Sequence, residues 1–210
     1  MQAMQADATV YVVDDDDGMR RSIAFLAESV GWRVRDFASA EAFLETAPAP
    51  PGCLVLDVRM PSMSGLELQQ ALARRSIALP IIFVTGHADV SMAVQAMKHG
   101  AVELLEKPFR EQALLDAIAS AVRRSCRDQA ANARANRARA LHDQLTPRER
   151  EVARRVAQGL ANRAIAEELG ISAKTVQVHR QHVLEKFEVH SAAELAAALL
   201  PLLAGDEGGP

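Results

Sequence analysis

The chain has 210 residues, 49% of them apolar, enough for two small domains that each bury a core. No apolar run approaches the roughly 18 residues of a membrane span and the first residues lack a basic segment followed by an apolar one, so no membrane association and a cytoplasmic location are expected. The formal charge of −3 hides a division: residues 1–121 sum to about −6 and the remainder to about +3, so one end suits a cation and the other a polyanion.

The first half alternates short β-branched runs with longer amphipathic stretches. Strands are expected at 9–13, 33–37, 53–56, 81–85 and 101–105, and helices at 18–30, 39–46, 64–75, 90–99 and from about Glu111. This pattern predicts an α/β fold, a five-stranded doubly wound parallel sheet over 8–122, with its ligands beyond the carboxyl ends of the strands. Cys53 reads as a core residue and Cys126 as an incidental thiol. Neither has a Cys or His partner at zinc-like spacing, which argues against a disulfide framework or a structural metal.

Residues 123–144 are rich in Ala, Arg and Asn, contain no Gly or Pro, and read as a solvated linker helix without an apolar heptad. Thr146, Pro147 and Glu149 then form a capping box that starts a new domain, 145–204. Helices are expected at 147–158, 162–169, 173–187 and 192–203, with Gly159 and Gly170 ending the first two and 205–210 forming a disordered tail. This second unit is all-α, a four-helix domain containing a helix-turn-helix. Its expected core is Val152, Val156, Ile165, Leu169, Ile171, Val176, Val183 and Phe187.

Four aspartates, Asp14 to Asp17, follow the first strand and Asp57 follows the third, so the fold gathers carboxylates at one sheet edge. Such a cluster needs a cation or added protons, and Mg2+ suits an all-oxygen donor set. Thr85 ends the fourth strand and Lys107 follows the fifth, adding a hydroxyl and an ammonium at the same edge. Together these groups describe phosphoryl transfer to a carboxylate, with Asp57 as nucleophile, the metal and Lys107 offsetting charge, and Thr85 donating to a phosphoryl oxygen. Taken singly, an acidic run is a solvated loop and a Lys-Pro pair a turn; the order along successive strands carries the inference.

Residues 9–122 resemble the receiver domain of two-component response regulators, in particular the FixJ branch, through VVDDDD, LDVRMPSMSG around Asp57, VTGHADVSMAV and EKPF. The resemblance implies that Asp57 is the phosphoacceptor, that Asp15 and Asp57 bind Mg2+ directly with Asp14 acting through water, and that the Arg59 carbonyl completes the protein ligands. It also implies a cis bond between Lys107 and Pro108, and leaves Asp16 and Asp17 as surface charge. Leu104 stands where the family carries Tyr or Phe, the ring that follows Thr85 inward on phosphorylation, so a softer switch with some unphosphorylated activity is expected. An aspartyl phosphatase of the haloacid dehalogenase type fits less well, because it needs a hydroxyl where Gly18 stands and its nucleophile lies on the first strand.

The helix expected at 173–187 presents Lys174, Thr175, Gln177, Arg180, Gln181 and Lys186, polar and basic groups suited to a major groove and equally to plain solvation. LTPREREV, GLANRAIAEELGIS and KTVQVHRQHVLEKFEV resemble the LuxR-type output domain of FixJ/NarL regulators. The resemblance implies that Gln177, Val178 and Gln181 face bases, that Arg163, Lys174, Thr175 and Arg180 touch the DNA backbone, and that the last helix pairs two copies on DNA. His179 is either a packing residue or a DNA contact. Ala161 replaces the usual Ser or Thr cap, so Asn162 is expected to cap instead, and Gln177 in place of Lys or Glu favours adenine over guanine. The implied partners are a sensor histidine kinase, promoter DNA, RNA polymerase and a second copy of the chain. A phosphorylation-dependent protein adaptor is the alternative of a different class.

Overall fold

The computed structural model describes residues 8–46, 48–86 and 90–206. The chain divides into two compact units, Met1–Gln129 and Ala130–Pro210. The first holds five strands, β1 (Thr9–Val13), β2 (Arg33–Phe37), β3 (Gly52–Asp57), β4 (Ile81–Thr85) and β5 (Glu103–Glu106), in one parallel sheet of order β2-β1-β3-β4-β5. Its helices are α1 (Asp17–Ser29), α2 (Ala40–Leu44), α3 (Gly65–Arg74), α4 (Val90–Lys98) and the first part of α5 (Glu111–Asp143).

Successive strand residues point to opposite faces, and here both faces are covered, which is why β1, β3 and β4 are almost continuously apolar. Val10, Val12, Cys53, Val55, Ile82 and Val84 pack under α1 and α5 against Ile23, Ala27, Leu114 and Ile118. Tyr11, Val13, Leu54, Leu56, Ile81 and Phe83 pack on the other face against Phe43, Leu68, Leu72 and Ala96. β5 begins two residues later than its apolar pattern suggests, because Ala101 and Val102 are still in the turn after α4, where Ala101 N–H bonds the Ala96 carbonyl.

The second unit contains α6 (Pro147–Ala157), α7 (Asn162–Leu169), α8 (Ala173–Phe187) and α9 (Ala192–Asp206). Thr146 caps α6 through a reciprocal box with Glu149, and Gly170, at φ 64°, ends α7 in the left-handed conformation that glycine takes without a Cβ penalty. Of the expected core, Val152, Val156, Ile165, Val176, Val183 and Phe187 are buried, while Leu169 and Ile171 are half-buried against them; Leu195 and Leu199 of α9 complete it.

Four expectations need correction. The stretch 123–144 is not uniformly solvated: the Ser125 hydroxyl is buried and accepts the Gly52 N–H at 3.1 Å. Cys126 packs on the first core, so it is not an incidental thiol. Farther along the same helix Ala138 is buried, and Leu141 packs half-buried against the core of the second unit. Asn162 does not cap α7: Ala161 holds the cap position, with no side-chain bond, and the Asn162 side-chain Oδ1 instead accepts from Arg180 Nη1 at 3.1 Å. The helix α9 runs on through Gly205 and Asp206, and the rest of the expected tail lies outside the described residues.

Candidate functional site

The strand order reverses direction between β1 and β3, and this is where an open α/β sheet leaves a crevice beyond its carboxyl ends. Asp14 follows β1 directly and Asp57 ends β3, which brings the two buried carboxylates to one point. Thr85, almost fully buried, ends the neighbouring β4, and its carbonyl accepts the Lys107 N–H at 2.8 Å, so the backbone ties the hydroxyl strand to the lysine. Lys107 Nζ then reaches Asp14 Oδ2 and Asp57 Oδ1, both at 2.8 Å. The Lys107–Pro108 bond is cis, as the resemblance implies.

Sterics fix the floor of the site. α3 starts directly beneath the Asp57 peptide, where a Cβ on Gly65 would lie 2.3 Å from the Asp57 carbonyl oxygen. The Ser64 and Glu67 capping box holds that start in place. Gly65 carries no chemistry, and its requirement emerges only from the approach of α3 to β3.

One ammonium does not balance the carboxylates around it. Burial raises the Asp57 carboxyl above its ordinary value, outweighing the hydrogen bond from Lys107. Lys107 is half-buried, which works against its charge, yet its bonds to Asp14 and Asp57 hold the ammonium above its usual range. The remaining oxygens are engaged by the backbone: Asp14 Oδ1 accepts Asp16 N–H at 2.9 Å and Asp57 Oδ2 accepts Arg59 N–H at 2.7 Å. Asp15 is exposed.

The four consecutive aspartates thus divide their work. Asp16 is not mere surface charge: it caps α1 by accepting the Met19 N–H at 2.9 Å, and bonds from the Met19 and Gly18 backbone hold its carboxyl below the ordinary range. Asp17 pairs with Arg20 and Arg21. Asp14 and Asp57 share Lys107, and Asp15 is exposed. Among the described residues no three His, Cys, Asp or Glu side chains stand close enough together to hold a metal ion. The donor set still fits Mg2+, which takes one or two carboxylates and keeps its waters, and the two carboxylates that share the Lys107 ammonium leave a net negative charge that a cation offsets.

Leu104 is half-buried on β5 and packs on the apolar cluster that includes Phe83, and Met92 of α4 packs on the same cluster. In the second unit, α8 exposes Lys174, Thr175, Gln177, Val178 and Gln181, and Arg163 is exposed on α7. Two of the expected surface cations turn inward. Arg180 spans to Asn162 on α7, and Lys186 Nζ bonds Glu149 Oε2 at 2.7 Å. Glu149 is buried; burial would raise its carboxyl, but Lys186 and the Thr146 donors bring it down to about 2. His179 is half-buried and its Nδ1 is buried with no partner among the described residues, which agrees with packing.

Comparison with known proteins agrees with both units. Residues 10–119 match the response regulator receiver domain, and residues 143–199 match the luxR family of bacterial regulatory proteins. The chain is therefore a two-component response regulator with a LuxR-type DNA-binding domain. Within that class it belongs to the FixJ/NarL family. It is 48% identical over 189 residues to nodulation protein W of Bradyrhizobium diazoefficiens, covering 90% of this chain and 83% of that one. It is 44% identical over 195 residues to the transcriptional regulatory protein FixJ of Rhizobium meliloti, covering 92% and 96%. Among solved structures it resembles response regulator StyR, with a TM-score of 0.80 and 45% identity over 92% of this chain and 98% of that one. It also resembles full-length FixJ from B. japonicum, with a TM-score of 0.58 and 41% identity over 92% and 96%. No described helix is long and apolar enough to cross a membrane.

Proposed function

We propose that the protein acts in the cytoplasm, takes a phosphoryl group from a sensor histidine kinase onto Asp57, dimerises, and binds promoter DNA to regulate transcription, with activation the expected direction. The observation that carries this reading is the lysine bridge: Lys107 Nζ lies 2.8 Å from both Asp14 and Asp57, beside a carboxyl whose charge is only partly compensated. A carboxylate in that condition favours any step that spreads its charge onto an incoming group. An Asp57 oxygen attacks phosphorus, the phosphorus–nitrogen bond of a phosphohistidine breaks, and the released imidazole takes a proton. Lys107 stays in reach of the transferred group, Thr85 donates to one of its oxygens, and the Arg59 N–H steadies the acceptor. Asp15, Asp57, Asp14 through water and the Arg59 carbonyl would hold Mg2+, which supplies charge stabilisation for the transferring group. The protein's own chemistry is limited to gaining and losing this phosphoryl group.

The unit built from residues 8–122 is the receiver, 123–144 the linker, and 145–204 the output domain. On α4, Val94 and Met97 are about half exposed, 46% and 49%, an apolar surface that supports pairing of two receivers. A two-fold pair would bring two α8 helices to a symmetric site. There Gln177, Val178 and Gln181 read bases while Arg163, Lys174 and Thr175 meet phosphates; Arg180, whose Nη1 is held by Asn162, joins them through its other donors. RNA polymerase is the further partner of an activator.

Selection of genomic DNA fragments by the purified protein, with and without a phosphodonor and beside Asp57→Asn, tests the proposal. An inverted repeat enriched mainly by the phosphorylated wild type is expected. Equal enrichment by all samples would mean a regulator that binds DNA without phosphate control, and no enriched motif in any sample would favour a protein adaptor.

A further inference from the structure

Arg20 takes no part in the phosphoryl chemistry described above, yet it is among the most engaged side chains near the pocket. Its side chain is only 11% exposed. Nε bonds Asp36 Oδ2 at the end of β2 at 3.1 Å, Nη1 donates to the Asp14 carbonyl oxygen at 2.8 Å, and Nη2 pairs with Asp17. The Asp14 N–H is meanwhile held by the Phe37 carbonyl at 3.3 Å. The peptide that carries the acidic run is thus fixed from both sides, between β2 and the first turns of α1.

We propose that Arg20 is a positioning residue for the cation site: it holds the β1–α1 loop so that Asp14 and Asp15 are presented to Asp57 while Asp17 and Asp36 are drawn away. The proposal rests on the reading of this pocket as a Mg2+ site. A planar guanidinium with donors in a fixed fork can join two carboxylates and a carbonyl at once, which a lysine ammonium on a flexible stem does less well. Charge alone gives the opposite expectation. Arg20 is a cation beside a cation site, so removing it makes the pocket more negative and, by Coulomb attraction only, Mg2+ should bind more tightly.

The opposite signs make the test decisive. Magnesium chloride is titrated into the full-length protein, with binding followed by the amide NMR shifts of residues 14–17 and 57–59, for wild type, Arg20→Met and Arg20→Lys. Both variants are expected to bind Mg2+ about tenfold more weakly, the size of one lost hydrogen bond to a charged group. The maximal rate of phosphoryl uptake at saturating Mg2+ should change by no more than about twofold if positioning for the ion is the whole role. Equal or tighter binding by Arg20→Met, or wild-type binding restored by Arg20→Lys, overturns the proposal. If Arg20→Met does not fold, Arg20→Lys decides alone: it keeps the charge and loses the fork, so positioning predicts weaker binding and charge alone predicts no change, and unchanged binding would overturn the proposal. A wild type that does not bind Mg2+ overturns the reading of the pocket and the proposal with it.

Discussion

Each unit buries an acidic side chain against a lysine, and the two pairs have opposite characters. In the C-terminal unit Glu149 has Lys186, the Thr146 hydroxyl and the Thr146 N–H as donors, and its carboxyl falls to about 2. In the N-terminal unit Asp57 shares one ammonium with Asp14, and its carboxyl is raised. A buried carboxylate with more than enough donors pins helices together. One with too few is an unfinished arrangement that a metal ion and a phosphoryl group can complete. Burial of a charge therefore does not identify a reactive site; the remaining imbalance does.

The sharpest way to break this comparison is to remove each carboxylate in turn. Glu149→Ala should lower the stability of the C-terminal unit by about 2 kcal/mol, since it removes the buried acceptor of Lys186 and half of a capping box. Calorimetry of the full chain would show it, and a loss below about 1 kcal/mol would mean that the pair is not a pin. Acidification separates the two sites by sign. Glu149 has a folded value of about 2 against an ordinary 4.5, so its stabilisation is present above 4.5 and is lost as pH falls toward 2. Asp57 is raised above its ordinary 3.8, so what it contributes is greatest below that value and declines as pH rises through the raised one. Hydrogen exchange without Mg2+ between about pH 5 and pH 3 should therefore show protection falling around Glu149 and holding or rising around Asp57.

Asp57→Asn should stabilise the N-terminal unit by about 1 kcal/mol while abolishing phosphorylation, the usual trade at a site kept under strain for function. Destabilisation would show that Asp57 is balanced in the resting protein. The smallest effect is expected at Leu104. Replacing it with Phe restores the bulk that receivers of this family carry there, and the ratio of phosphorylated to unphosphorylated DNA affinity should widen by roughly fivefold. An unchanged ratio would remove Leu104 from the switch.

Much of the pocket is legible in the sequence because its residues lie at the ends of consecutive apolar strands. A parallel sheet with alternating helices leaves few places for Asp57, Thr85 and Lys107 other than one edge. The C-terminal unit is less legible. Lys186 and Arg180 lie on the polar side of α8 and have the pattern of DNA contacts, but Glu149 and Asn162 on neighbouring helices draw them inward. Asn162 has the pattern of a cap for the same reason: its local alternatives are visible in the sequence and its distant partner is not. Cys126 and Ser125 read as linker residues because helical periodicity does not reveal where the packing of a helix ends.

The sequence by itself determined the two-unit organisation, the parallel sheet, the capping box at Thr146 and the acidic edge, all of which follow from local periodicity, turn chemistry and the order of residues along the chain. Only the tertiary structure decided how the four aspartates divide between helix cap, ion pair and pocket. It also decided that Gly65 must lack a side chain, and which cations of α8 turn inward. Those outcomes depend on groups far apart in the chain, such as Asp14 with Lys107 and Glu149 with Lys186, competing for the same few donors. Competition of that kind is settled by distance in space, which no local pattern records.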